Sequence, residues 1–120
     1  MEQVLDMSVV EELLSFADDG DPELLLDLIQ MFLDDGPSKI KSITEGAATG
    51  DFDKMERASH SLKGSSGNLG ARLLQEACEQ MQNASRNHKL EEARRVSPQL
   101  VANYARAEAA LRDLLRSYKT

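Results

Sequence analysis

The chain has 120 residues, with 21 acidic against 14 basic side chains and a net charge of −7. That balance repels phosphate backbones and excludes unaided nucleic-acid binding. A single cysteine, Cys78, excludes an internal disulfide, and no Cys or His cluster surrounds it to build a zinc centre, so no metal site is expected. No signal peptide is visible, and no apolar run approaches the roughly 20 residues needed to cross a bilayer, so a soluble, cytoplasmic protein without membrane contact is expected. Aromatics are 4% and Trp is absent, no run alternates apolar and polar, and helix formers are plentiful. The chain reads as one all-α domain over 1–120.

Five helices are predicted in chain order. A short one covers Met7 to Phe16 and is closed by the turn-forming run Asp18-Asp19-Gly20. Asp21 then caps a second helix that has Pro22 at its first position. An unbroken helical phase runs through Leu25, Ile29, Phe32, Gly36, Ile40, Ile43 and Ala47 to Gly50. Pro37 interrupts the hydrogen bonding but not this phase, which predicts one long helix kinked at Gly36-Pro37, with two separate helices as the alternative. Asp51 starts the third helix, and Leu69-Gly70 ends it. Leu73, Leu74, Ala77, Met81 and Ala84 carry the fourth to about Arg86. Leu90 through Leu114 carry the fifth, bent at Pro98. The four longer helices predict an antiparallel up-down-up-down four-helix bundle, with the short additional N-terminal helix capping one end.

The third helix holds the chemistry. Phe52, Met55, Ala58, Leu62 and Leu69 share one face, with small Ser65 and Ser66 filling the gap. His60 lies two residues from both Ala58 and Leu62, about 200° round the helix, and points away from that stripe. Its own face runs Asp53, Glu56, Arg57, His60, Lys63, Gly64 and Gly67. A neutral imidazole is a competent nucleophile near neutral pH and can carry a phosphoryl group between two partners. Lys63, three residues on, projects alongside it as a point charge for phosphoryl oxygens. Gly64 costs the helix about 1 kcal/mol relative to alanine, and close approach of another surface to the ring is the reason for it.

Hairpin spacing adds a supporting residue. If the turn between the third and fourth helices centres on Ala71, residues equidistant from it lie level. His60 then faces Gln82, and Gly64 faces Cys78. A glutamine amide can bond one imidazole nitrogen and fix which nitrogen is free to attack. Cys78 is expected to pack. His88, in the polar connection Asn87-His88-Lys89, is expected to be passive.

The run His60-Ser-Leu-Lys-Gly-Ser-Ser-Gly-Asn-Leu-Gly70 resembles the signature of histidine-containing phosphotransfer (HPt) domains, a helical His-x-Leu-Lys-Gly-Ser-Ser followed a turn later by an apolar residue and Gly. The resemblance spans about 21–115 in helix lengths and hydrophobic phase. It implies that His60 shuttles a phosphoryl group between receiver-domain aspartates, of free response regulators or of a hybrid histidine kinase. It implies also that any Mg²⁺ belongs to the receiver rather than to this chain, and that the protein is a monomer. HPt domains often carry a glutamine and a basic residue where Gln82 and Arg86 stand. Arg86 is equally placed to cap helix carbonyls or to touch phosphate.

The glycines do not form a nucleotide loop. A Walker loop needs a strand before it and Gly-Lys-Ser/Thr at its end, whereas Lys63 precedes the glycines on a helix. Nothing else in the sequence binds ATP, so autophosphorylation is not expected, and a dimerising kinase core lacks room for its catalytic domain. A helical adaptor that docks receivers without chemistry is the competing class, but it has no need to keep His60, Lys63 and Gly64 together. Met1 fits a free-standing protein.

Overall fold

The computed structural model describes residues 4–16 and 21–119. Five helices follow one another: α1 (Met7–Ser15), α2 (Glu23–Thr49), α3 (Phe52–Asn68), α4 (Arg72–Arg86) and α5 (Leu90–Lys119). No strand occurs among the described residues. Packing runs α2 on α3, α3 on α4, α4 on α5 and α5 back on α2, which closes a four-helix bundle. Leu25, Ile29 and Ile43 of α2, Met55 and Leu62 of α3, Leu74 and Met81 of α4, and Leu100 and Leu111 of α5 are fully buried along its axis.

The long α2 is a single helix with Pro37 inside it, and α5 likewise continues through Pro98. Gly36, buried beside Pro37, supplies a second reason for that stretch of sequence. A Cβ there would lie 2.3 Å from the Tyr104 hydroxyl oxygen, so the missing side chain lets Tyr104 of α5 lie against the α2 backbone. The Tyr104 ring stacks on Phe32 at 5.5 Å between centroids, and its hydroxyl donates to Glu108 Oε2 at 3.1 Å. Burial, then the Glu108 contact, pushes its pKa upward.

Helix ends follow local chemistry. Asp51 caps α3 by accepting the Lys54 N–H at 3.1 Å. The assigned start of α2 is one residue later than the sequence suggests, yet the Asp21 carboxylate accepts the Glu23 N–H at 3.0 Å and caps it all the same. Gly50, in the left-handed region at φ 78°, ends α2. The Ala47 and Ala48 carbonyls at that end accept from the Arg94 guanidinium of α5, at 2.8 and 3.3 Å. The expected turn at Asp18-Asp19-Gly20 lies outside the described residues.

The N-terminal helix docks on the α3–α4 turn as well as on α2. Its cap residue Asp6 donates a backbone N–H to the Gly70 carbonyl at 2.8 Å, and the Asp6 carboxylate pairs with Arg72 at 2.5 Å. Gly70 has φ 76°, and a Cβ there would lie 2.8 Å from the Asp6 carbonyl oxygen. Glycine is therefore needed twice at this position, for backbone conformation and for close approach. This tether fixes the end of the hairpin that carries the site.

Candidate functional site: the outer face of α3 and α4

His60 is exposed on α3, on the side opposite the buried Met55, Ala58 and Leu62. Ser66 is fully buried in the gap of that stripe, as its phase predicts, and Ser59 is fully buried too, which hydrophobic periodicity does not reveal. Their hydroxyls donate to the Met55 and Leu62 carbonyls, at 2.7 and 2.5 Å, so a polar group enters the core already satisfied. Ser85 of α4 does the same toward Met81 at 2.8 Å. Small residues on both helices set His60 close to α4.

The contact that defines the site crosses this pair. Gln82 Nε2 lies 3.0 Å from His60 Nδ1. Gln82 is 5% exposed, so its amide is held by packing rather than waving in solvent. The contact serves either neutral tautomer. The amide N–H donates to a bare Nδ1, and after a half-turn of the amide its carbonyl oxygen accepts from Nδ1–H. His60 Nε2 has no partner among the described residues and remains available to an incoming group.

Other residues of the face are placed as follows. Lys63 is half-buried, and its ammonium lies near enough to Cys78 to pull that thiol's pKa down while burial pushes it up to about 12. Cys78 itself is fully buried and packs, with no access to the site. A Cβ on Gly64 would meet no described residue within 4 Å, so the space beside the ring is open among the described residues. Gly67 differs from its expected place on the bare face. A Cβ there would lie 2.6 Å from Gln75 Nε2, because the Gln75 side chain folds over it from α4. Arg86 is exposed and does not touch His60; its Nε donates to Glu56 Oε1 at 3.1 Å. Sequence reasoning assigned Glu56 no role, although the hairpin spacing that pairs His60 with Gln82 also sets Glu56 level with Arg86. His88 is more engaged than expected: it adopts φ 56° after α4 and stacks on Phe52 at 4.5 Å between centroids.

An exposed imidazole, contacted by a buried amide and flanked by one ammonium and one bare position, has the chemistry to accept a group and pass it on. The sequence profile of the Hpt domain family matches residues 27–117. The chain belongs to the Hpt domain family. As an Hpt domain it is a phosphotransfer module of phosphorelays. It is 30% identical over 81 residues to multistep phosphorelay regulator 1 of Schizosaccharomyces pombe, covering 68% of this chain but only 28% of that protein. Histidine-containing phosphotransfer protein 5 of Arabidopsis thaliana is 27% identical over 111 residues, 90% of this chain and 71% of its own length. Among solved structures, histidine-containing phosphotransfer protein B of Pseudomonas aeruginosa PAO1 shares the fold of this Hpt domain with a TM-score of 0.86 at 24% identity, over 98% of this chain and 99% of that one. A putative histidine-containing phosphotransfer protein from rice does so at a TM-score of 0.77 and 20% identity, over 94% and 80% of the two chains.

Proposed function

We propose that His60 accepts a phosphoryl group from a phosphorylated aspartate of a receiver domain and passes it to the aspartate of another. The observation that carries this reading is the 3.0 Å contact from buried Gln82 to Nδ1 of a histidine whose Nε2 is unpartnered and exposed. With the Gln82 carbonyl accepting from Nδ1–H, the Nε2 lone pair points outward. Nε2 attacks phosphorus, the N–P bond forms, the O–P bond to the aspartate breaks, and the carboxylate leaves. The positive charge gained by the ring is shared with Nδ1–H, whose hydrogen bond to Gln82 strengthens as the donor becomes cationic. Return transfer reverses these steps, and no proton has to move in either direction.

Lys63 contributes a point charge toward the phosphoryl oxygens, and Gly64 leaves room for the partner surface. Mg²⁺ is assigned to the receiver, which brings its own carboxylates to the encounter. A free regulator and the receiver of a hybrid kinase both fit this role. The reading is of a cytoplasmic monomer, and its charge of −7 argues against a nucleic-acid partner. No helix among the described residues is long and apolar enough to cross a membrane.

The test is His60→Ala labelled by a phosphorylated receiver. Labelling should vanish while unfolding free energy changes by about 1 kcal/mol or less, since the ring is exposed and its removal lets water reach the Gln82 amide in place. Undiminished acid-labile label in this variant would overturn the assignment. His88→Ala should transfer like the wild type.

A further inference from the structure

The ion pair between Glu56 and Arg86 occupies a position that an ordinary surface pair would not. Glu56 stands one helical turn before His60 on α3, and Arg86 stands one turn after Gln82 on α4. Carboxylate and imidazole thus share one row, while guanidinium and amide share the row facing it. Arg86 Nε donates to Glu56 Oε1 at 3.1 Å, and both side chains are reached by solvent, at 58% and 32% exposure. Helical side chains lean toward the N-terminus of their own helix. On α4 that lean carries Arg86 toward the level of Gln82, and so toward His60. On the antiparallel α3 it carries Glu56 away from His60. One turn is about 5.4 Å, within the swing of a guanidinium on its three-carbon stem.

We propose that Glu56 is a positioning residue for the phosphorylated state: it holds Arg86 while His60 is free, and yields Arg86 to the phosphoryl group once His60 carries one. The inference rests on His60 as the acceptor. A phosphoryl group brings a charge of about −1.5 to −2 and three acceptor oxygens, against the single charge of a carboxylate. It also stands at i+4 from Glu56, where like charges repel. Both effects weaken the Glu56–Arg86 pair and favour a forked contact from Arg86 to the phosphoryl oxygens. Because the pair is exposed, the exchange is nearly balanced, and an interaction of this class shifts an equilibrium by about two- to fivefold. Glu56 therefore limits how strongly Arg86 stabilises phosphohistidine. The group stays easy to pass on.

The test needs no identified partner. The full chain is phosphorylated with phosphoramidate, the donor is removed, and the half-life of phosphohistidine is followed. In that decay water adds to phosphorus, the N–P bond breaks, the ring leaves as a neutral imidazole that keeps Nδ1–H, and the protons of the water stay with the released phosphate. Arg86→Gln should shorten the half-life about two- to fivefold, and Arg86→Lys, which keeps the charge but not the fork, should restore part of it. Glu56→Gln frees Arg86 and should lengthen the half-life by a similar factor. In the double variant the half-life should stay much nearer to that of Arg86→Gln than to that of Glu56→Gln, because direct repulsion between exposed charges is the smaller effect. A pair that only braces the hairpin would lower thermal stability in each single variant and leave all half-lives equal, which overturns the proposal. Equal lengthening by Glu56→Gln with and without Arg86 would also overturn it, in favour of direct repulsion. Label on His60→Ala equal to that of the wild type would instead show that the acceptor reading had failed.

Discussion

Two glycines inside long helices show how differently the two sides of this bundle use a missing side chain. Gly36, in the seam between α2 and α5, is buried under Tyr104, with no room for a methyl group. Gly64, on the outer face of α3, has no described residue within 4 Å of where a Cβ would be. Both weaken their helix by about 1 kcal/mol relative to alanine. At Gly36 the loss is recovered as packing within the protein. At Gly64 no described residue fills the space, which leaves the position open to an approaching surface. Helix propensity alone cannot separate these cases; what stands opposite each position does.

The comparison breaks or holds on substitutions at these two sites, and the largest effect is expected at Gly64. Gly64→Gln should keep the fold, because the position is open, yet slow phosphotransfer from a receiver by roughly a hundredfold. Displacing the incoming aspartyl phosphate by even about 1 Å can cost that much. Small-molecule donors, which need less room, should be slowed less. Full receiver activity in this variant would remove Gly64 from the docking surface.

Alanine at the two positions should move stability in opposite directions. Gly36→Ala should destabilise by about 1–3 kcal/mol, since overpacking against the buried Tyr104 ring outweighs the gain in propensity. Gly64→Ala should gain up to about 1 kcal/mol. Denaturant unfolding of both variants settles the pair, and equal signs would dissolve the contrast.

A smaller effect is expected for Lys63→Ala. An exposed charge pair contributes about 0.2–1 kcal/mol, so transfer should slow only several-fold with the fold intact. Complete loss of transfer would assign Lys63 a larger role than a point charge. The finest test concerns Cys78 beneath the same face. Its folded pKa, pushed up to about 12 by burial, keeps it a thiol when the unfolded chain has already ionised. The resulting stability is whole below about pH 9 and is lost as pH rises from there toward 12. At pH 8 a thiol reagent should label Cys78 only after denaturant is added, and rapid labelling of the native protein would contradict the burial beneath Lys63.

Much of this was legible in the chain because it is local. Apolar phase gave the five helices, Asp51 and Gly50 marked two of their ends, and His60 stood opposite the core stripe by angle alone. Gln82 was also within reach, since a tight antiparallel turn makes residues equidistant from Ala71 neighbours. Gly67 was misplaced by the same reasoning stopped short. Its helix face was right, but the partner four residues beyond the turn, Gln75, carries a long side chain that folds over it.

What the sequence by itself determined was the all-α class, the helix boundaries to within a residue or so except at the end of α5, which runs on from Leu114 to Lys119, and the exposed histidine, because each depends on spacing along one or two adjacent segments. Only tertiary structure decided why Gly36 is glycine, since Tyr104 lies 68 positions further along and no periodicity links them. It alone seated the hydroxyls of Ser59 and Ser85 in the core, where intrahelical bonds remove the penalty that their polarity suggests. It decided, too, that Arg86 is held by Glu56. A side chain's partner is set by every group within its reach, and most of those groups come from elsewhere in the chain.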